Sequence, residues 1–297
     1  MLSYSVAFIA LTHFVCLWLL GDLRWEHVAA DALLLGAAFL PARWRTLQRS
    51  GLAFWLTGVL FDSQRYFVEA LRGPIHTGSL WAWEQRWFPA MLGDRQTIWA
   101  EFFLERSSTL LDLLCGFCYI AYLPVFFAVF FILLKKRHPC AEFLAWAFFV
   151  TNLLGVLTYL AYPAAPPWYV LDYGPGPAQL SVPGSAAGAA RFDTLLGISY
   201  FEQFYGRSPN VFGAMPSLHT AYPVLTTLVV WKRGWTWRLA CGLFAMAVGF
   251  SAVYLSHHYV LDVLAGIVAA VLGWCGGKLL FSFIEKKDSL KEKTAGG

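Results

Sequence analysis

Three ionisable side chains, His219, His258 and Asp262, lie within one largely apolar stretch, 213–262, where charge is costly and seldom accidental. The stretch opens with Gly-Ala-Met-Pro-Ser-Leu-His (Gly213 to His219) and closes with Ser-His-His-Tyr-Val-Leu-Asp (Ser256 to Asp262). On a helix starting near His258, Asp262 is four residues on and shares its side one turn away. A carboxylate there can accept the Nδ1 proton, fix the tautomer and leave Nε2 as a nucleophile or base. His219 follows Pro216 by three residues at a helix start, where free amides favour an anion, and Ser217 adds a hydroxyl donor. The chemistry this suggests is phosphoryl transfer on a lipid headgroup. His258 would attack phosphorus to give a phosphohistidine, and His219 would protonate the departing oxygen and then deprotonate the acceptor.

Such a transition state needs cations around its equatorial oxygens. Arg65, Arg207 and Arg191 are the candidates, and the spacing does not choose among them. Asp62, Arg65 and Asp112 have two readings, as helix-to-helix pairs or as a phosphate grip in which Asp62 orients Arg65. His257 is either a supporting donor or a headgroup-level residue, and His13, His27, His76 and His138 read as satisfied interfacial residues. Two histidines and one aspartate are a thin ligand set, so neither metal nor cofactor is expected. Of the six cysteines, Cys115 and Cys118 form a CxxC within an apolar run, which reads as packing rather than a redox or metal motif.

The elements that must position these groups are membrane helices. The chain of 297 residues is 58% hydrophobic, 18% aromatic and only 13% charged, with a mean hydropathy of +0.55. That is far from a soluble composition. Apolar runs are expected at about 4–20, 27–40, 51–67, 110–134, 142–162, 216–231, 239–255 and 258–283. They predict an all-α polytopic bundle of about eight spans, each crossing roughly 30 Å of hydrocarbon. The first run lacks a basic leader and reads as a span rather than a removable signal. Residues 70–106 interleave tryptophan with charge and predict helices at headgroup level, and 163–215 is a long Pro/Gly/Ala/Ser-rich connection. The basic connectors at 43–49, 135–137, 232–238 and 286–293 fall on one side of eight spans. The positive-inside rule makes that side cytoplasmic. Both termini are then cytoplasmic, and His219 and His258 share the extracytoplasmic face, periplasmic or lumenal. A charge of +4 segregated in this way gives nucleic acid no binding surface. The expected organisation is an N-terminal helical hairpin (1–50), a catalytic membrane domain (51–283) and a cytoplasmic tail (284–297).

Pro216-Ser217-Leu218-His219 resembles the second motif, Pro-Ser-Gly-His, of the type 2 phosphatidic acid phosphatase superfamily. Ser251 through His258 to Asp262 is similar to its third motif, in which an arginine stands where this chain has Ala252. Leu218 replaces the motif's glycine, and the first motif, Lys-x6-Arg-Pro, is missing. With Tyr162-Pro163-Ala164-Ala165-Pro166-Pro167-Trp168-Tyr169 and the His257-His258-Tyr259 run, these departures resemble the branch of fungal inositol phosphorylceramide synthases and their bacterial relatives. The resemblance is clearest over 159–266 and extends back to Asp62. It implies a six-helix core and transfer of a phospho-alcohol headgroup between lipids, with His258 as nucleophile, Asp262 orienting it and His219 as acid and base.

The resulting expectation is an integral membrane phosphotransferase, inositolphosphotransferase-like. Its partners would be a phospholipid donor and a lipid acceptor of the ceramide or diacylglycerol class. The site would comprise catalytic His219, His258 and Asp262, phosphate-binding Ser217, Arg65 and Arg207, and supporting His257, Tyr162 and Asp62. Two alternatives stay open at this point: a lipid phosphatase using the same histidine with water as acceptor, and a lipid transporter or structural membrane protein with a vestigial site. Oligomeric state is not legible.

Overall fold

Apolar runs become helices in chain order, and the computed structural model, which describes residues 2–295, sets their bounds. α1 (Leu2–Leu20) and α2 (Trp25–Ala38) pack on each other as a hairpin, and α3 (Arg45–Asp62) packs on α2. Short elements follow: α4 (Gln64–Leu71), α5 (Ser79–Trp87), the antiparallel strands β1 (Ala90–Leu92) and β2 (Arg95–Thr97), and α6 (Trp99–Glu105). Then come α7 (Thr109–Ile120), α8 (Tyr122–Lys135) and α9 (Cys140–Ala161). α10 (Pro167–Tyr173), α11 (Ala190–Leu196) and α12 (Tyr200–Gly206) precede α13 (Leu218–Val230), α14 (Trp235–Tyr254) and α15 (Val260–Ala295).

α9 is the centre of the packing, with α3 and α15 along it and α13 wedged among α8, α9, α14 and α15. Phe126, Leu144, Phe148, Tyr222, Leu225 and Ala270 fill the space between them. Backbones come close where glycine allows it. A Cβ at Gly273 of α15 would collide with Thr151 of α9, and one at Gly266 with the Ser217 carbonyl oxygen at the start of α13. The second contact matters most, because it brings the N-terminal ends of α13 and α15 together.

Several expectations change. Among the described residues, three helices are long and apolar enough to cross a membrane: α9, α14 and α15 over Val260–Ile284. α7 and α8 add a fourth if taken as one span bent by 45°. The run at 110–134 breaks at Ala121 because Pro124, in the first turn of α8, has no amide to donate and its ring clashes with the carbonyl four residues back. α13 has only 13 residues, about 20 Å of helix. The run at 51–67 is interrupted at Ser63, and α3 already starts at Arg45, inside the expected connector and before the expected boundary at residue 50. The connection at 163–215 carries α10, α11 and α12 rather than open loop, and its backbone docks on the α14–α15 turn, Trp168 N–H donating to the Ser256 carbonyl and Gly188 N–H to that of Leu255. α15 continues without a break through the expected start of the tail at 284 to Ala295, and the tail's last two residues lie outside the described residues.

Candidate active site

Backbone hydrogen bonds make the corner between α13 and α15. Ser217 N–H donates to the Asp262 carbonyl at 3.0 Å. Ser217 is fully buried, and its Oγ caps α13 by accepting from Thr220 N–H at 3.4 Å and from the Thr220 hydroxyl at 3.2 Å. Its side-chain oxygen is therefore spent on the helix end, and Ser217 is not part of the cavity wall where a phosphate donor was expected. Before α15 the chain turns through Ser256 (φ +59°), and the Ala252 carbonyl takes both the His257 N–H (3.1 Å) and the His258 N–H (3.0 Å). Glu84, reaching from α5, accepts from Val260 N–H at 2.8 Å and Leu261 N–H at 3.2 Å and so caps α15. Burial pushes the Glu84 carboxyl up to about 7, against the pull of those two amides. Asp262 Oδ2 accepts from Tyr259 N–H at 2.9 Å, closing the first turn.

Held this way, His258 places Nδ1 2.9 Å from the Ala214 carbonyl oxygen and 3.4 Å from Asp262 Oδ2. The carbonyl is the nearer acceptor, so it shares with Asp262 the role that spacing gave to the carboxylate alone. With Nδ1–H donated there, Nε2 keeps its lone pair and faces His219 Nδ1 at 3.4 Å. His219 Nε2 in turn lies 3.5 Å from the Tyr205 hydroxyl. One proton arrangement serves the whole line, His219 presenting Nδ1–H to His258 and accepting at Nε2 from Tyr205. The His219 ring stacks on Tyr119 at 4.5 Å and lies tilted against Tyr122 at 4.6 Å. His257 is buried and sandwiched between Tyr119 (5.4 Å) and Tyr205 (4.1 Å). Burial pushes the His257 imidazole down to about 3, so it stays neutral.

His219, His257 and His258 face a cavity of about 530 Å³ whose wall also includes Asp62, Arg65, Tyr159 and Arg207. The cavity thus gathers five of the expected polar groups besides His258. Tyr162 stands apart: it stacks on His76 at 3.9 Å and its hydroxyl meets Ser79 at 3.1 Å. Tyr159, three residues earlier, lines the cavity in its place and donates to the Pro216 carbonyl at 3.0 Å. Arg191 is committed to Asp112 at 2.7 Å and to the face of Tyr254, away from the cavity wall. Arg24 was not anticipated, and it lines the cavity on the same Asp62 that holds Arg65. Among the described residues, no three His, Cys, Asp or Glu side chains come together as a metal site.

A family model described as the PAP2 superfamily matches residues 81–276, about two thirds of the chain. The chain belongs to the PAP2 superfamily. Among curated relatives, it is 34% identical over 256 residues to a phosphoinositol dihydroceramide synthase of Bacteroides thetaiotaomicron, an alignment covering 85% of this chain and 83% of that protein. It is 28% identical over 299 residues to an inositol phosphorylceramide synthase catalytic subunit of Schizosaccharomyces pombe, covering 95% and 69%. With an inositol phosphorylceramide synthase of Candida albicans it shares 36% identity over 126 residues, 42% of this chain and 27% of that one. No solved structure matches. The PAP2 match contains both histidines and Asp262 and leaves out α1 to α4, so Arg24, Asp62 and Arg65 all lie outside it. Ala252, where the PAP2 motif resembled above has arginine, is fully buried in a cluster with Cys115, Tyr119 and Ala189. Leu218, at the motif's glycine, packs against Gly155 of α9 and lines the cavity.

Proposed function

We propose that the chain moves a phosphoinositol headgroup from a phospholipid to a lipid hydroxyl of the ceramide or diacylglycerol class through a phosphohistidine on His258. The observation that carries this reading is the line from the Ala214 carbonyl through His258 and His219 to Tyr205 on the wall of one cavity. The name of the Bacteroides relative, whose length the chain largely covers, supplies the headgroup and the ceramide-type acceptor. In the first half-reaction the His258 Nε2 lone pair attacks phosphorus and the bond from phosphorus to the diacylglycerol oxygen breaks. His219, carrying its second proton, gives that proton to the departing oxygen. In the second half, His219 takes the proton of the acceptor hydroxyl, whose oxygen attacks phosphorus as the phosphorus–nitrogen bond breaks. Asp262 and the Ala214 carbonyl hold Nδ1–H throughout and stabilise the ring as it gains positive character. Arg65 and Arg207 are the cations proposed at the equatorial oxygens.

Phosphorus must come between two rings whose facing nitrogens are 3.4 Å apart, so one ring has to swing. His219 is the one free to do so, since among the described residues its ring is held by stacking, by the 3.5 Å contact to Tyr205 and by the 3.4 Å contact to His258 that the substrate must open, whereas the His258 ring is tied at Nδ1 to the Ala214 carbonyl and Asp262. In the membrane we propose eight crossings, with the bent α7–α8 pair as one and the short α13 as another. Both termini are cytoplasmic and the cavity faces the extracytoplasmic side. The hairpin (1–50), catalytic membrane domain (51–283) and tail (284–297) remain the proposed division. The test is a headgroup-transfer assay on the purified protein with labelled phosphatidylinositol and ceramide. Labelled inositol phosphorylceramide is expected, and release of inorganic phosphate from phosphatidic acid with no lipid-to-lipid transfer would overturn the reading in favour of a phosphatase.

A further inference from the structure

The exposed rim of the cavity is built by a segment that the PAP2 match leaves out. Arg24, in the short link between α1 and α2, sends Nη2 to Asp62 Oδ1, and Arg65 Nη2 reaches the same oxygen at 2.6 Å. His27 completes the knot. Its Nδ1 accepts from the Arg24 backbone N–H at 3.2 Å, and its Nε2 lies 2.7 Å from Arg24 Nη2 and 3.1 Å from Asp62 Oδ2. Both Asp62 oxygens are thereby used, and two guanidiniums share one carboxylate. With the histidines neutral, the charged side chains in the cavity wall are three arginines, Arg24, Arg65 and Arg207, and two carboxylates, Glu26 and Asp62, which leaves one net positive charge. Arg24 Nε–H is buried with no hydrogen-bond partner among the described residues. Beside these charges the wall carries the neutral amides Gln64, Gln203 and Asn210, the first and last of them 3.5 Å apart.

We infer that the α1–α2 link is a headgroup-recognition site. Arg24, with Arg65 on Asp62, takes a phosphodiester monoanion bearing a neutral polyhydroxylated alcohol. The inference rests on the transferase reading above and assigns its donor selectivity. One net positive charge suits a monoanionic diester better than a phosphomonoester dianion. Amides both accept from and donate to vicinal hydroxyls and a carboxylate accepts from them, while a quaternary or primary ammonium headgroup would meet guanidiniums and be repelled. The guanidiniums of Arg24 and Arg65, held side by side on Asp62, offer charged donors to anionic oxygens. The N-terminal hairpin is then part of substrate recognition and not only packing.

The experiment compares the full chain with Arg24→Gln and Arg24→Lys in phosphatidylcholine vesicles containing phosphatidylinositol and ceramide. It is paired with the thermal stabilisation given by glycerophosphoinositol, a soluble phosphodiester, and by inositol 1-phosphate and inositol. Arg24→Gln is expected to raise KM for the phosphatidylinositol donor about tenfold or more, the size of a lost charge-assisted contact, with a much smaller change in kcat. It should also lose the stabilisation by glycerophosphoinositol and narrow the preference for phosphatidylinositol over phosphatidylethanolamine. Arg24→Lys should recover part of each. Unchanged KM, donor preference and glycerophosphoinositol stabilisation in Arg24→Gln would overturn the inference while leaving the transferase reading intact, and stronger wild-type stabilisation by the monoester inositol 1-phosphate than by the diester would overturn the charge selection. A fall in kcat alone that tracks lost stability without ligand would equally overturn the inference, because Arg24 would then be structural. If the wild-type protein transfers no headgroup, yet glycerophosphoinositol stabilises it through Arg24, the transferase reading fails and the recognition site stands.

Discussion

His258 and Arg65 belong to the wall of one cavity, yet they are held in different ways. His258 is 6% exposed and anchored at Nδ1 by two acceptors and at its backbone by the Ala252 carbonyl. The Arg65 side chain is 30% exposed and, among the described residues, its hydrogen bonds go to Asp62 alone, one to the backbone carbonyl and one to the carboxylate that Arg24 also grips. A nucleophile gains from being fixed before the substrate arrives, since reorganisation during the reaction costs rate. A recognition rim gains from solvent and side-chain freedom, which let it close on a bulky headgroup and release it. The contrast says that substitutions among the buried residues should act on the chemical step, and substitutions on the rim on binding and selectivity.

The sharpest way to break that contrast is His258→Ala. Transfer should fall by about three orders of magnitude or more, with no acid-labile phosphoenzyme from labelled donor and near-normal donor binding. Retained label in that variant would remove His258 as nucleophile. His219→Ala should cost about 10²- to 10⁴-fold, mostly in kcat, and the phosphoenzyme should form slowly if at all. Asp262→Asn should leave slow activity, about 10- to 100-fold down, because the Ala214 carbonyl still holds His258 Nδ1–H. A loss as complete as that of His258→Ala would mean the carbonyl does not share the role.

How much of this was legible follows from sequence distance. His258 and Asp262 lie four apart, and His219 lies in a Pro-Ser context at a helix start, so local spacing carried the core of the candidate site. The Ala214 carbonyl was invisible because a backbone acceptor leaves no trace in residue type. Arg24 was passed over, and His27 was read only as an interfacial residue, because their partner, Asp62, is 38 and 35 residues away, and a link of polar residues between two apolar runs looks like any interfacial turn. Glu84 caps amides 176 and 177 residues later, a pairing that no local pattern reveals. The break within 110–134 was readable from Pro124, but the apolar character of the run outweighed it. Composition identified a helical membrane protein because hydrocarbon demands it of every residue in a span, whereas crossing number depends on helix length, which the run at 216–231 overstated.

Glu84 sharpens the comparison from the side of stability, and its sign can be worked out. In the fold its carboxyl lies near 7 against 4.5 for the free side chain, because burial outweighs the two amides it accepts. A raised acid binds more protons folded than unfolded, so its contribution to stability is complete below about 4.5 and is lost as pH rises through about 7. The melting temperature of the wild type should decline across that window, and that of Glu84→Gln, which keeps an oxygen acceptor but cannot ionise, should decline less. Because the cap holds the start of α15 beside His258, the same variant should change kcat several-fold and leave donor KM within about twofold. An unaltered pH dependence of melting would remove Glu84 as the group responsible.

The smallest effect belongs to Arg207, and it separates the two kinds of rim cation. Arg24 and Arg65 are braced by a shared carboxylate, while no ion pair among the described residues holds Arg207, which follows α12 on the cavity wall. An unbraced arginine must be ordered on binding, and that entropy offsets part of what its charge contributes. Arg207→Gln should therefore raise donor KM only about two- to fivefold, with a salt dependence weaker than that of the wild type. If Arg207→Gln instead lowered kcat as strongly as His219→Ala, Arg207 would act on the transferring phosphoryl group itself, and the division between a fixed chemical interior and an adaptable rim would have to be redrawn around α12.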